Sequence, residues 1–343
     1  MKEKKEQIIS RENREVPDFS KGILTEEILW YFGRVTTPKL SPDGQQLLFG
    51  VKYFDYHANK GNLELYTMPI TGGEPIKITT TAQDEIEAIW RPDGKKIAYL
   101  FPDKEGVLQI WESNPDGKEL KQISHEKSDI TAFSYSPTQS HIMYSQNVRL
   151  DPTIAERYPD LPEANAKIYD DLMYRHWNSW ADGTYSHLFV APYPSLENPV
   201  DLLKGEKFQA PLPPFGGMEQ VTWSPDGKKL AYCCKQSFGK TFAESTNSDI
   251  FIYDLKTGNT TNISSFNLGY DLDPVFSPNG NYIAWLSMEK PGFESDKKRI
   301  IIHDFNSETT VDYSTTFDYS AENLVWNDKS NTLYFLSTIA ATN

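Results

Sequence analysis

The residues best suited to chemistry lie in one stretch of the chain, between residues 147 and 186. Its acidic side chains suit a cationic group, its arginine suits a carbonyl group, and its large aromatic side chains can form the walls of a subsite. The candidate substrate-binding residues that we select are Asp170, Asp171, Arg175, Glu163, Asp182, Tyr174, Trp177 and Trp180. We predict that this stretch takes part in ligand binding, because long insertions in regular folds often carry function.

The same residues also have structural interpretations that the sequence leaves open. Asp170 can cap a helix end or a turn, and Arg175 can pair with Asp182. The tryptophans can anchor the stretch on neighbouring strands. The composition of residues 164–171 also predicts a short helix there.

The elements that must position this stretch are hairpins that recur along the chain. The clearest copy runs from Trp223 to Tyr232, where Pro225 fixes the φ angle that a turn needs and Gly227 accepts a positive φ. Six copies start at residues 41, 91, 136, 224, 277 and 327, so the spacing is 45–53 residues except for one step of 88. The acidic and aromatic stretch lies within that long step.

A second hairpin follows each of the first five copies, which gives four strands per period. Four-stranded units that repeat every 40–50 residues or so are typical of a β-propeller. We therefore predict an all-β fold, a propeller of four-stranded antiparallel blades with five full blades and half of a sixth visible. Residues 1–22 are a polar lead-in and 23–343 are the incomplete propeller, with the insertion 147–186 in blade three. A short helix over residues 25–32, capped by Thr25, precedes the first blade.

The half blade at the end predicts that the chain is a fragment, because a propeller ring closes only when its last blade meets its first. The first six residues are charged and have no apolar run after them, so no signal peptide is visible. No apolar run is long enough to cross a bilayer. The net charge of −14 argues against nucleic acid as a partner.

Neither a metal site nor a cofactor is predicted. Cys233 and Cys234 are adjacent in a strand, so we interpret both as packing residues rather than as a disulfide or redox pair. The histidines show no metal-ligand spacing, and His187 is interpreted as structural. Carboxylates that lie near strand ends leave open a sugar-active or cation-binding propeller; they are Asp254, Asp271, Asp273 and Asp304.

The Ser-Pro-Asp-Gly hairpins, with the segments Leu172–Trp177 and Ser186–Val190, resemble the N-terminal propeller of the prolyl oligopeptidase family of serine peptidases. Within it they are most similar to the bacterial dipeptidyl-peptidase V and acylaminoacyl-peptidase branch, over residues 24–343. The resemblance implies a parent with seven blades and a C-terminal α/β-hydrolase domain that carries a Ser-Asp-His triad. No Gly-x-Ser-x-Gly motif occurs in this sequence, so we expect no hydrolysis by this chain alone.

The resemblance also implies a role for the propeller as a filter that admits peptides. In dipeptidyl-releasing relatives, acidic residues of a propeller insertion bind the free α-ammonium of the substrate, which makes Asp170 and Asp171 the first candidates here. The implied partners are a peptide and the hydrolase domain in cis, in a periplasmic or secreted setting, with a homo-oligomer left open. The turn motif is shared with TolB, so the alternative is a self-standing propeller for protein–protein binding.

Overall fold

The structure is a computed structural model that describes residues 9–10, 13–214 and 216–339. It is almost entirely β-sheet and divides into two compact units, Met1–Phe133 and Ser134–Asn343. A five-stranded antiparallel sheet is followed along the chain by four four-stranded antiparallel sheets, with two strands of a further sheet at the end of the described residues. The predicted fold class, a β-propeller of four-stranded blades, is confirmed at the level of the individual blades.

In the described part of the first unit, a short α-helix precedes two sheets, which are blades one and two. The elements are α1 (Glu26–Tyr31), β1 (Arg34–Val35), β2 (Lys39–Leu40), β3 (Gln46–Asp55), β4 (Lys60–Pro69) and β5 (Ile76–Lys77), then β6 (Ile86–Trp90), β7 (Ile97–Pro102), β8 (Leu108–Ser113) and β9 (Lys121–Gln122). The helix predicted at residues 25–32 is confirmed, since the Ile28 N–H donates to Oγ1 of Thr25 at 3.4 Å.

The boundary between the two units lies within strand β10 (Ile130–Tyr135), the first strand of blade three. Blade three continues with β11 (His141–Arg149), α2 (Ile154–Arg157), the small hairpin β12 (Arg175–His176) and β13 (Ser179–Trp180), then β14 (Thr184–Pro192) and β15 (Val200–Asp201). A 3₁₀ helix at Met218–Gln220 precedes blade four, which consists of β16 (Val221–Trp223), β17 (Lys229–Cys234), α3 (Gly239–Glu244), β18 (Asp249–Asp254) and β19 (Thr260–Asn262). Blade five is β20 (Asp271–Phe276), β21 (Tyr282–Ser287), β22 (Arg299–Asp304) and β23 (Thr309–Asp312), and β24 (Glu322–Trp326) with β25 (Leu333–Leu336) begins blade six.

The recurring turn has the backbone geometry that its sequence predicts. Its glycine takes a φ between +68° and +72° in the four copies that have one, and the glycine N–H closes the turn by donating to a carbonyl three residues earlier. In the two copies without glycine, Gln139 and Ser330 adopt the left-handed conformation instead, with φ of +55° and +58°. The turn therefore keeps its shape even where the sequence motif has decayed.

Where the residue before the turn is a tryptophan, its indole N–H connects the blade to the preceding blade. Nε1 of Trp90 donates to the carbonyl of Lys39 at 3.1 Å, and Nε1 of Trp326 donates to the carbonyl of Val275 at 3.2 Å. Both bonds join residues 51 positions apart, one repeat period. A buried indole N–H needs a partner, and the neighbouring strand supplies it in each case.

Apolar clusters fill the space between successive blades within each unit. Cys234 belongs to the cluster between blades three and four, whereas Cys233 belongs to the cluster between blades four and five. Adjacent residues of a strand point to opposite faces, so both thiols are free and fully buried, as predicted. Burial raises the pKa of Cys234 to about 12 and that of Cys233 well above its ordinary range, so neither is a reactive thiolate at neutral pH.

The prediction of a helix at residues 164–171 is wrong, because this segment has no regular secondary structure. An isolated helix of about two turns is unstable in water unless it buries an apolar face. Here the side chains of residues 164–171 are exposed, apart from the half-buried Tyr169. The helix of this insertion is instead α2, where Thr153 and Glu156 form a complete capping box.

A buried acid in the first unit makes stability depend on pH. Glu85 is buried and accepts hydrogen bonds from the hydroxyls of Thr79 (2.9 Å) and Thr81 (2.7 Å). Burial, supported by the nearby carboxylate of Glu64, raises the pKa of Glu85 from 4.5 to about 7 against the effect of these hydrogen bonds. The folded protein thus holds a proton that the unfolded chain has already lost, so stability falls as the pH rises from 4.5 to 7 and then levels off.

We expect the change Glu85→Gln to stabilise the protein by about 1 to 3 kcal/mol at pH 8, because the amide carries no charge to desolvate. It should have little effect near pH 4.5, where Glu85 is protonated. Urea denaturation between pH 4.5 and pH 8 measures this difference. Glu74→Gln, at an exposed turn position of the same blade, is the control. An equal response of the two variants at pH 8 would contradict the prediction.

Candidate functional site

Four segments of the second unit emerge at the same end of their blades. They are residues 150–183 between β11 and β14, residues 235–248 between β17 and β18, residues 288–298 between β21 and β22, and the connector 202–217 between β15 and β16. Neighbouring strands of each blade are antiparallel, so the turns that follow the first and third strands lie at the other end. The long insertion therefore shares its end of the blades with the other irregular segments.

The root of the insertion is held by Asp151. The backbone amide of Asp151 donates to the carbonyl of Gly183 at 3.2 Å, which closes the insertion into a loop. Its carboxylate accepts a hydrogen bond from the Tyr185 hydroxyl at 2.8 Å and pairs with the Lys207 ammonium at 2.5 Å. Burial alone would raise the pKa of Asp151, but the bonds from Lys207 and Tyr185 outweigh it, and the pKa is lowered. The insertion is thus attached at its base to the connector that carries Lys207.

The small hairpin β12–β13 brings together two of the predicted aromatic residues, Tyr174 and Trp180, with Tyr169, which was not among the predicted residues. The ring centroids of Tyr169, Tyr174 and Trp180 lie 5.9 to 6.2 Å apart. The guanidinium of Arg175 lies 5.5 Å from the Trp180 ring, and its Nε donates to the carbonyl of Trp177 at 2.9 Å. Trp180 and Trp177 remain 52% and 67% exposed, so this cluster presents aromatic surface to solvent.

The predicted acids have different surroundings. Asp182 accepts hydrogen bonds from the amide and hydroxyl of Thr184, so it stabilises a turn and does not pair with Arg175. One carboxylate oxygen of Asp171 accepts the Leu172 N–H at 2.7 Å. Within the described part of the chain, the exposed side chains of Asp170 and Glu163 form no hydrogen bond or ion pair. The role of Asp170, Asp171 and Glu163 in binding a cationic group therefore stays a prediction.

His187 is structural, as its sequence position suggested. It is fully buried in β14, with Nδ1 3.0 Å from both carboxylate oxygens of Asp201 and Nε2 3.0 Å from the carbonyl of Glu206. In the other complete blades a serine or threonine hydroxyl two residues after the last strand accepts an amide of the preceding strand; these residues are Thr79, Ser124, Ser264 and Ser314. Blade three has Leu203 at that position, and its His187 is a buried imidazole on the third strand, next to the insertion.

Sequence reasoning missed the loop of residues 235–248, which contacts the insertion. A Cβ atom added at Gly239 would lie only 2.2 Å from a carboxylate oxygen of Asp171, so the two segments touch there. The buried Lys235 ammonium donates to the carbonyls of Phe242 and Ser245, and burial lowers its pKa to about 8. The unusual length of this connection was the available signal, but contacts between distant segments have no signature in one sequence.

Within residues 9–10, 13–214 and 216–339, no group of three or more His, Cys, Asp or Glu side chains is arranged to hold a metal ion. None of the helices in this described part combines the length and apolar character needed to cross a membrane. Among the described residues, Asp271 and Asp273, two of the carboxylates near strand ends, do not belong to such a metal-binding group. Burial raises the pKa of each to about 6, and Asp271 accepts hydrogen bonds from Asn267 and Trp285.

Comparison with known proteins first supports the fold. Residues 24–182 match the family model described as the TolB beta propeller domain. The likeness to solved structures agrees with this fold. An acylaminoacyl peptidase in complex with Z-Gly-Gly-Phe-chloromethyl ketone aligns with a TM-score of 0.66 at 15% identity, over 92% of this chain and 44% of that one. The β-propeller domain of the Trilobed protease from Pyrococcus furiosus aligns with a TM-score of 0.54 at 14% identity, over 89% and 78%.

The curated relatives are more specific. The chain is 38% identical over 316 residues to dipeptidyl-peptidase 5 of Porphyromonas gingivalis, which covers 92% of this chain and 46% of the relative. It is 35% identical over 285 residues to dipeptidyl-peptidase 5 of Porphyromonas endodontalis, with 82% and 41% covered. The chain is therefore similar over most of its length to bacterial dipeptidyl-peptidase 5, and the predicted resemblance is confirmed. It spans about half the length of these relatives.

Proposed function

We propose that this chain is the non-catalytic propeller of a serine exopeptidase, where it limits access to the active site and helps to bind the N-terminus of a peptide. The observation that carries the proposal is the relationship to dipeptidyl-peptidase 5 over nearly the whole chain but only about half of the relative. A Ser-Asp-His triad would then lie in a hydrolase domain outside these residues. The sequence resemblance favours a periplasmic or secreted setting.

The insertion supports the binding part of the proposal. It combines two exposed carboxylates, Asp170 and Asp171, with an exposed aromatic cluster on a short hairpin. A carboxylate that pairs with an α-ammonium forms a charge-assisted hydrogen bond. An internal segment of a folded protein has no α-ammonium and therefore cannot form this bond. An enzyme with such a subsite would measure its cleavage point from the peptide N-terminus. It would also discriminate against blocked peptides, because acylation removes the positive charge with which the carboxylate pairs.

The experiment that tests this proposal compares residues 1–343 with the full product of the gene that encodes them. Both are assayed with dipeptides linked to a chromogenic amine. We expect turnover by the full product and none by the chain alone, because the chain contains no Gly-x-Ser-x-Gly nucleophile motif. Robust turnover by residues 1–343 would contradict the assignment of a non-catalytic role.

The alternative is a self-standing TolB-like propeller that binds another protein, and the match of residues 24–182 to the TolB propeller model favours it. The same assay separates the two candidates. A full gene product that cleaves none of the dipeptidyl substrates would favour the protein-binding alternative.

A further inference from the structure

His187 connects blade three to the segment that follows this blade. Its Nδ1 lies 3.0 Å from both carboxylate oxygens of Asp201 on β15, and its Nε2 lies 3.0 Å from the carbonyl oxygen of Glu206 in the connector 202–217. Both contacts are hydrogen bonds only when each ring nitrogen carries a hydrogen, because a carboxylate and a carbonyl oxygen only accept. The ring is fully buried, so bulk solvent cannot replace either partner.

Blade five has an arginine at the place that His187 takes in blade three. Each of the two lies two residues before the third-strand residue that pairs with an acid of the fourth strand, Asp201 in blade three and Asp312 in blade five. The Nη1 atom of Arg299 lies 3.9 Å from the Asp312 carboxylate, and Nη2 donates to the side-chain oxygen of Asn267 at 3.2 Å. A side chain with donors in two directions therefore occurs at this place in both blades, and the change His187→Arg keeps that property.

The connector links the buried imidazole to the root of the insertion. Glu206, whose carbonyl faces the imidazole, is followed by Lys207, whose ammonium pairs with the Asp151 carboxylate at 2.5 Å. Further along the connector, the Ala210 N–H donates to the carbonyl of Ser186 on β14 at 2.9 Å. The part of the connector that carries Lys207 is thus attached to blade three on both sides of this residue. The ammonium therefore has a defined position from which it holds the insertion.

We propose that His187 is a positioning residue: by holding Glu206 it fixes Lys207, and through Lys207 it fixes the insertion that binds the peptide N-terminus. The inference rests on the proposed function and adds to it a buried residue that acts through others. A charge-assisted hydrogen bond to the α-ammonium depends on the placement of its acceptor. A loosened insertion root should therefore weaken the binding of the peptide more than it slows the chemical step.

The test measures kcat and KM of the full gene product on a dipeptide linked to a chromogenic amine. We expect the change His187→Gln to raise KM about tenfold and to change kcat less than about twofold. The reason is that the amide nitrogen of glutamine can donate toward only one of the two acceptors. His187→Arg should restore part of the lost binding, because its guanidinium donates in both directions. Urea denaturation of each variant measures its stability separately.

Two further variants separate positioning from general damage. The Lys207 side chain is 37% exposed, so Lys207→Met leaves the buried imidazole with its partners and should also raise KM. If the effect of His187 passes through Lys207, the double variant His187→Gln/Lys207→Met should bind no more weakly than the weaker single variant. The matched control is Gln109→Leu, at the equivalent buried position of blade two, where the side chain binds Ser124 at 2.7 Å. It should lower stability and leave KM unchanged.

Several outcomes would overturn the inference. An unchanged KM in folded His187→Gln would exclude a positioning role, and an unchanged KM in Lys207→Met would do so even where His187→Gln does not fold. Additive effects in the double variant would show that His187 does not act through Lys207. An equal rise of KM in Gln109→Leu would indicate general damage. If the wild-type product cleaves no dipeptidyl substrate, the proposed function itself fails and the inference fails with it.

Discussion

The change Trp285→Ala is expected to destabilise the protein by about 4 kcal/mol, the largest loss that we predict for a single core truncation. Trp285 is fully buried in the cluster between blades four and five. Its Nε1 donates to a carboxylate oxygen of Asp271 at 3.1 Å. Alanine would leave a cavity and would also remove a hydrogen bond from a buried acid, and both effects lower the free energy of unfolding. Chemical denaturation followed by circular dichroism measures the loss.

Two further variants separate the causes. Trp177→Ala removes a tryptophan that is 67% exposed and should change stability by less than about 1 kcal/mol. Trp285→Phe keeps most of the apolar volume but removes the donor to Asp271, so it should fall between wild type and Trp285→Ala. Equal stabilities for Trp285→Ala and Trp177→Ala would show that the cluster between blades four and five is not packed as described.

The change Gly117→Ala is expected to destabilise the first unit by about 3 kcal/mol. Gly117 lies in the turn between β8 and β9 with a φ of +78°, which costs alanine about 1 kcal/mol by itself. In addition, an added Cβ would lie 1.9 Å from the carbonyl oxygen of Ile78, a backbone atom that cannot rotate away. The strands on both sides would have to move, and this overpacking accounts for the remaining loss.

Gly72→Ala is the matched control for this prediction. Gly72 also lies in a turn of the first unit with a positive φ, of +90°, but no heavy atom lies within 4 Å of an added Cβ. This variant should lose only the cost of the left-handed backbone, about 1 kcal/mol. Thermal denaturation of both variants gives the comparison. Equal losses would contradict the close approach of Gly117 to Ile78.

The fold was predictable because its signal is local and repeated. Pro225 and Gly227 specify the shape of one turn, and the same turn chemistry recurs at the period of the blades. The tryptophans before three of the turns were visible in the sequence, but their partners in the preceding blades were not. Short helices were less predictable: the capped α1 was found, whereas the segment 164–171 lacks an apolar surface to pack against and is irregular.

The candidate site was only partly predictable from the sequence. The oversized step between hairpins located the insertion, and its composition identified the acids and aromatic residues. The suggested pairing of Arg175 with Asp182 is wrong, because local hydrogen bonds occupy both residues within their own turns. The contacts of Lys207 with Asp151 and of Gly239 with Asp171 join segments 56 and 68 positions apart, which no periodicity reveals.

The most direct test of the central claim is the selectivity of the full gene product for a free peptide N-terminus. The measured quantity is the ratio of kcat/KM for a dipeptidyl substrate to that for its N-acetylated form, in wild type and in the double variant Asp170→Asn/Asp171→Asn. Asp318→Asn, an exposed acid outside the insertion, is the control. The loss of a charge-assisted bond to the α-ammonium should reduce the ratio about 10- to 100-fold in the double variant and leave it unchanged in the control. An equal ratio in wild type and the double variant would contradict the claim that the insertion binds the peptide N-terminus.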